Sequence, residues 1–166
     1  MLAIKRILHP TDFSEGSELA FRLACSLARD YGARISVVHV AVPPTIVYGE
    51  GVIPPEPENW LGEAREKLAR LLPPDPKVLV EHRLIEGDVV DEILRAAADA
   101  GADVVVMGTH GRTGLGRFLM GSVAEQIVRK APCPVVTVKA PLPEPQRAEV
   151  PQQAEEPALA RAEDAA

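Results

Sequence analysis

Five short runs of apolar residues, separated by amphipathic segments, constrain the fold of this chain more than any other feature. Strands that alternate with helices pair in parallel, since each helix carries the chain back across the sheet. The pattern therefore predicts an α/β protein with an open, five-stranded, mostly parallel sheet and helices on both faces. The charged centre of the third run, Glu81-His82-Arg83, indicates a strand at the sheet edge. The five runs are Ile4–Leu8, Ile35–Val40, Val78–Ile85, Val104–Met107 and Pro134–Lys139.

Four helices are predicted from apolar residues spaced three and four positions apart. Ser14 and Asp88 carry side chains that accept hydrogen bonds from the first helical N–H groups, so we expect them to be N-caps. The helices run from Ser14 to about Tyr31, from Leu61 to Leu72, from Asp88 to Gly101 and from Val123 to Ala131. The expected buried faces are Ala20, Leu23, Ala24, Leu27, Ala28 and Tyr31 of the first helix, and Val90, Ile93, Leu94, Ala97 and Ala98 of the third.

A glycine-rich segment follows the fourth strand and ends where the fourth helix begins. Gly108-Thr109-His110-Gly111 is separated by nine residues from Gly121-Ser122, and Arg112 and Arg117 add positive charge. Glycine backbone can approach a ligand closely, and a helix N-terminus offers unpaired N–H groups to an anion. The pattern predicts a phosphate-binding loop; the alternative is an ordinary surface loop. The segment matches neither a P-loop nor a dinucleotide-binding fingerprint.

Asp12 lies in the turn after the first strand. Ligands of open α/β sheets bind beyond the carboxyl ends of the strands, where the strand order reverses. If strands one and four are neighbours, one crevice holds this carboxylate beside the glycine-rich segment. Such a crevice suits a nucleotide, with the acid at the ribose hydroxyls and the glycines at the phosphates. Two alternatives stay open: Asp12 only tightens its turn, and Ser122 only caps the fourth helix.

Charge and hydropathy exclude several classes of protein for this chain of 166 residues. The net charge is −6 and no basic cluster stands out, which argues against nucleic-acid binding. No apolar run approaches the ~20 residues that span a membrane. The first ten residues lack the apolar core of a signal peptide, so we expect a cytoplasmic protein. His9, His39 and His82 show no metal-ligand spacing.

The C-terminal segment differs in composition from the rest of the chain. Residues 140–166 hold eight Ala, five Pro and five Glu, with little apolar surface to bury. We expect a disordered Ala/Pro/Glu-rich tail there, after a single domain over residues 1–139.

Three segments resemble the universal stress protein (UspA-like) family, and the resemblance spans residues 1–139. They are Ile7–Ser14, Asp103–Gly111, and Gly121–Glu125 followed by Ala131–Val135. The Gly-x-x-Gly-x9-Gly-Ser spacing is similar to the ATP-binding signature of that family, which implies the nucleotide-binding branch. The family's fold implies the strand order 3-2-1-4-5, with strands one and four side by side.

The resemblance also implies roles for single residues. Asp12 corresponds to the acid near the ribose, with Pro10 and Thr11 shaping its turn, and Val40 corresponds to the adenine-contacting position. Met107 and Gly108 border the base and ribose. A Mg²⁺ ion held by phosphate oxygens and water is compatible with this set. The residues implied around the phosphates are Gly111, Arg112, Gly121, Ser122 and Val123.

The family commonly forms homodimers through the fifth strand, which here offers Val135, Val136 and Val138. The function we expect is an ATP-binding stress-response regulator. Two alternatives are a weak ATP hydrolase and a nucleotide-independent interaction or chaperone-like module. The hydrolase is the weaker of these, because no Walker-type lysine is present and only Asp12 or His110 could act as a base near the loop.

Overall fold

A computed structural model describes residues 3–42, 57–109 and 120–139, with the backbone alone at 57–60. The tail over 140–166, most of the segment 41–57, and Gly111 and Arg112 lie outside the described residues. In chain order the elements are β1 (Arg6–Pro10), α1 (Glu15–Tyr31), β2 (Arg34–Ala41), α2 (Pro57–Ala69), β3 (Leu79–Glu86), α3 (Val89–Asp99), β4 (Val104–Gly108), α4 (Ser122–Lys130) and β5 (Val135–Val138).

The strands form one parallel sheet in the order β3-β2-β1-β4-β5. Strand β1 lies between β2 and β4, with Ile7 opposite both Ile35 and Val104. The predicted α/β fold and strand order are therefore confirmed, and β3 is an edge strand as its charged centre indicated. The strand order reverses between β1 and β4, which puts the turn after β1 next to the segment after β4.

The helices cover both faces of the sheet, and each face has its own core. Neighbouring strand residues point to opposite faces, so Ile7 packs under α1 and α2 while Leu8 packs under α3 and α4. Both side chains are fully buried. Among the described residues, no helix is both long enough and apolar enough to cross a membrane.

Most element boundaries differ from the predicted ones by one or two residues, and those of α2 differ by more. Strand β1 starts at Arg6 and continues to Pro10, because His9 is buried like an apolar residue and hydrogen-bonds to β4. Proline lacks an N–H group and cannot donate to the ladder of hydrogen bonds, so a position at the end of the strand suits Pro10. Helix α2 begins at Pro57, four residues before the predicted Leu61, and ends at Ala69, three residues before the predicted Leu72.

The predicted buried faces of α1 and α3 are wrong at some positions. Leu23 and Tyr31 are exposed, whereas Phe21 and Cys25 are buried in their place. The first turn of α1 approaches β4 closely at Gly16, so the side of the helix that carries Gly16 faces the sheet. In α3, Ala96 is buried and Ala98 is exposed, an exchange that the small, uniform alanine run does not reveal. The N-caps Ser14 and Asp88 are confirmed.

Candidate functional site

A cavity of about 210 Å³ opens at the carboxyl ends of β1, β2 and β4. It is lined by the turn after β1, by apolar side chains of β2, α3 and β4, and by the start of α4. This is the edge of the sheet where open α/β folds bind ligands, beside the reversal of strand order. The predicted site residues within the described part of the chain all line it: Pro10, Thr11, Asp12, Val40, Met107, Gly108, Gly121, Ser122 and Val123.

The turn after β1 is held by side-chain hydrogen bonds. The Asp12 Oδ1 atom accepts from the Ser14 N–H at 3.1 Å and from the Ser14 hydroxyl at 2.6 Å. The Thr11 Oγ1 atom accepts from the Phe13 N–H at 3.2 Å and from the Ser17 hydroxyl at 2.8 Å. The sequence left open whether Asp12 tightens its turn or binds a ribose, and the bonds to Ser14 show that Asp12 tightens the turn. Its carboxylate nevertheless also lines the cavity.

The end of β4 touches the first turn of α1 backbone to backbone. A Cβ atom added at Gly108 would lie 3.0 Å from the Gly16 carbonyl carbon and 3.2 Å from the Ser17 nitrogen. Only glycine fits such a contact without displacing one chain. Gly108 therefore has a packing role, which brings β4 and the Asp12 turn together at the cavity.

Helix α4 begins at the cavity without a side-chain cap. Its N-cap is Gly121, with no side-chain hydrogen bond to the first turn. Ser122 is the first helical residue and is exposed, so the alternative that it caps α4 is wrong. The first N–H groups of a helix have no partner within the helix, and the residues that carry them here, Ser122, Val123 and Ala124, line the cavity.

The two ends of the glycine-rich segment are hydrogen-bonded to each other. The Gly121 N–H donates to the Thr109 carbonyl at 2.8 Å, and the Thr109 N–H donates to the Val138 carbonyl at 2.9 Å. Thr109 and Gly121 therefore meet at one point of the described fold. That point joins the end of β4, the start of α4 and the edge strand β5.

Several cavity residues were not predicted from the sequence. Val38 and His39 belong to β2, and only the strand register shows that they lie beside the end of β1. Val89 and Ile93 come from α3; Ile93 was predicted only as a core residue, and Val89 was not part of the predicted apolar face. A signal was available for α3, because Gly87-Asp88 starts that helix at the same edge of the sheet.

His9 lies directly before the cavity turn and is fully buried. Its Nδ1 atom donates to the Val106 carbonyl at 2.8 Å, and its ring centroid is 5.4 Å from that of Phe21. Within the described part of the chain, its Nε2 atom has no hydrogen-bond partner. Burial lowers the pKa of His9 from 6.5 to about 4, because the charged ring would lose its hydration. The ring is therefore neutral at physiological pH.

The lowered pKa of His9 predicts an acid-sensitive fold. Between pH 6.5 and about 4 the unfolded chain binds a proton at this ring that the folded protein does not. The free energy of unfolding must then fall as the pH drops through this window, by about 2 kcal/mol between pH 7 and pH 5. Urea unfolding of the wild type and of His9→Gln, which cannot titrate, measures this as a difference in pH slope. Equal slopes would contradict the prediction.

No group of three His, Cys, Asp or Glu residues that could hold a metal ion occurs among residues 3–42, 57–109 and 120–139. The ionisable side chains that line the described cavity are Asp12 and His39. The His39 Nδ1 atom donates to the Thr11 carbonyl at 2.7 Å, which ties β2 to the turn after β1. The cavity thus combines a fixed carboxylate, an apolar wall and an open helix start.

The sequence was compared with models of known protein families and with known proteins. The model of the "Universal stress protein family" matches residues 3–139. The universal stress protein MJ0531 of Methanocaldococcus jannaschii is 36% identical over 141 residues, which are 82% of this chain and 83% of that protein.

Solved structures share the fold. The structure of protein MJ0577 of the same organism superposes with a TM-score of 0.71 at 32% identity, over 85% of this chain and 99% of that one. A universal stress protein of Archaeoglobus fulgidus, solved in complex with dAMP, superposes with a TM-score of 0.59 at 24% identity, over 84% of this chain and all (100%) of that one.

Proposed function

The chain belongs to the universal stress protein family, and from that premise we propose that its cavity binds ATP and that occupancy regulates a cytoplasmic stress response. One observation carries the proposal. A single cavity is lined by the Asp12 turn of β1, by the uncapped start of α4 and by apolar side chains of β2, α3 and β4. An adenine nucleotide has the matching parts: an apolar base, a ribose with two hydroxyls, and anionic phosphates.

The base fits against the end of β2. The Val38 carbonyl faces β1 and accepts from the Thr11 N–H at 2.8 Å. Main-chain groups two residues further along a strand point the same way, and β1 has no residue paired opposite Val40. The N–H and C=O of Val40 therefore face the cavity, where they can bind the edge of a purine. Ile93 and Met107 supply apolar surface for the faces of the ring.

The ribose fits beside Asp12. A carboxylate accepts hydrogen bonds from both sugar hydroxyls. The Ser14 hydrogen bonds keep this carboxylate in one orientation before the ligand arrives, which lowers the entropic cost of binding. Pro10 and Thr11 hold the turn at the edge of the cavity.

The phosphates fit at the start of α4. N–H groups at a helix N-terminus attract anions, both as donors and through the helix dipole. Gly121, Ser122 and Val123 present this end of α4 to the cavity, and Gly111 and Arg112 complete the proposed phosphate site from outside the described residues. A Mg²⁺ ion is compatible with this site when phosphate oxygens and water hold it. That ion would neutralise phosphate charge.

The Archaeoglobus fulgidus protein supports the ligand class, because dAMP is an adenine nucleotide and the two proteins share the fold. The proposal extends this class to ATP on the Gly-x-x-Gly-x9-Gly-Ser spacing. Nucleotide that remains bound through purification can be released by denaturation and identified by chromatography. We expect ATP or its breakdown products in the extract, and phosphate release by the loaded protein close to background. Sustained release far above background would favour the hydrolase.

We also propose a homodimer through β5. This strand is at the sheet edge, and its residues Val135, Val136 and Val138 are half-buried. The carbonyls of Pro134 and Val138 accept hydrogen bonds from β4. Main-chain groups of successive strand residues point in opposite directions, so the N–H of Thr137 faces away from the sheet. An outward row of such groups can pair with a second copy of the strand.

Thr137→Pro tests this interface. Proline removes the outward N–H of Thr137 and leaves the hydrogen bonds to β4 intact, so we expect a monomer with an unchanged fold. Sedimentation velocity of the wild type and the variant measures the change. Thr137→Ala keeps the N–H and should remain dimeric. A variant that sediments like the wild-type dimer would rule out pairing through β5.

A further inference from the structure

Phe13, next to the cavity, has a backbone conformation that L-residues rarely adopt. Its φ angle is +63°, and among the described residues it is the one non-glycine position with a positive φ. A bulky side chain in the left-handed region is strained by the contact between its Cβ atom and the backbone. Such strain persists only where surrounding contacts hold it, and it concentrates at functional sites.

Four contacts hold Phe13 in place. Its N–H donates to the Thr11 Oγ1 atom at 3.2 Å. Its ring packs against the His39 ring, with 4.4 Å between the centroids and 39° between the planes. The Lys67 ammonium group of α2 lies 6.0 Å from the ring centroid, within reach of a cation–π interaction. The ring also packs against the core under α1 and α2.

These contacts hold the residues on both sides of Asp12. The side chain of Phe13 packs on His39, and the His39 Nδ1 donates to the carbonyl of Thr11, the residue before Asp12. On the other side, Ser14 donates twice to the Asp12 Oδ1 atom. Phe13 lies between these two residues, so its left-handed backbone conformation sets the path of the chain from Asp12 to Ser14. The carboxylate is therefore oriented by its neighbour as well as by its own hydrogen bonds.

We infer that Phe13 is a positioning residue, which holds the Asp12 carboxylate toward the ribose of a bound nucleotide through its packing on His39. The inference rests on the proposed function, since it assigns the ribose to Asp12. It makes a prediction that general stabilisation of the fold does not. Loss of the Phe13 ring should weaken recognition of the ribose hydroxyls more than recognition of the base or the phosphates.

The test compares ATP with 2′,3′-dideoxy-ATP, which lacks both ribose hydroxyls, in calorimetric titrations of the full chain. The wild type should bind ATP at least tenfold more tightly than the dideoxy compound. In Phe13→Ala this ratio should fall to about one or two, with little change in the affinity for dideoxy-ATP. Phe13→Tyr keeps an aromatic ring over His39 and should retain the wild-type ratio.

Circular dichroism first establishes that each variant is folded. If Phe13→Ala does not fold, Phe13→Gly replaces it with the same readout, because glycine adopts a positive φ without strain. A wild-type ratio in the ring-deleted variant would overturn the inference, as would a wild-type protein that binds both nucleotides equally. A wild type that binds neither nucleotide would instead contradict the proposed function itself.

Discussion

Ser122→Asp is expected to lower ATP affinity at least about tenfold while leaving the protein as stable as the wild type or slightly more stable. Ser122 is exposed in the first turn of α4, at the proposed phosphate site. Two like charges about 4 Å apart near a protein surface repel by ~4 kcal/mol, so a carboxylate there opposes a bound phosphate. The same carboxylate interacts favourably with the dipole of α4, which stabilises the fold by roughly 0.3–1 kcal/mol. Calorimetry and urea unfolding measure the two effects separately.

Ser26→Asp is the matched control for this experiment. Ser26 is exposed on α1, and the substitution adds the same charge outside the cavity lining. Its ATP affinity should equal that of the wild type. If Ser122→Asp also binds ATP as the wild type does, the phosphates do not lie at the start of α4 and that part of the proposal is wrong.

Gly108→Ala is expected to lower the free energy of unfolding by about 1–3 kcal/mol, the usual cost of forcing atoms into a packed interior. The added Cβ would lie 3.0 Å from the Gly16 carbonyl carbon, and backbone yields less readily than a flexible side chain. Gly108→Val should cost more, because its two methyl groups widen the clash. Urea unfolding of both variants gives the two values.

Gly62→Ala is the control for Gly108, since nothing lies within 4 Å of a Cβ added at Gly62 in α2. Alanine there restricts the unfolded chain, so stability should be unchanged or rise by up to about 1 kcal/mol. If Gly108→Ala were as stable as the wild type, α1 and β4 would not be in the close contact that shapes the cavity.

The sequence predicted the elements of the fold well, because their signals are local. Strands such as Val104–Met107 are short and continuously apolar, and Ser14 and Asp88 cap helices by bonds to residues two or three positions ahead. The rotation of a helix against the sheet is not local. The buried face of α1 includes the contact between Gly16 and Gly108, which are far apart along the chain.

The candidate site was predictable only where its residues form a motif. Asp12 and Gly121-Ser122 stand out by residue type and spacing, and the strand order that brings them together came from the family resemblance. Val38, His39 and Ile93 carry no such signal, since they line the cavity through register and helix placement. The positive φ of Phe13 has no signature either, because phenylalanine rarely adopts it.

Calorimetric titration of ATP into the nucleotide-stripped full chain shows whether this cavity binds an adenine nucleotide. We expect saturable binding with a Kd of about a micromolar that strengthens when Mg²⁺ is added, and weaker binding of AMP, which has fewer phosphates for the start of α4. A folded protein that takes up neither ATP nor AMP would rule out the nucleotide site and favour a nucleotide-independent interaction module.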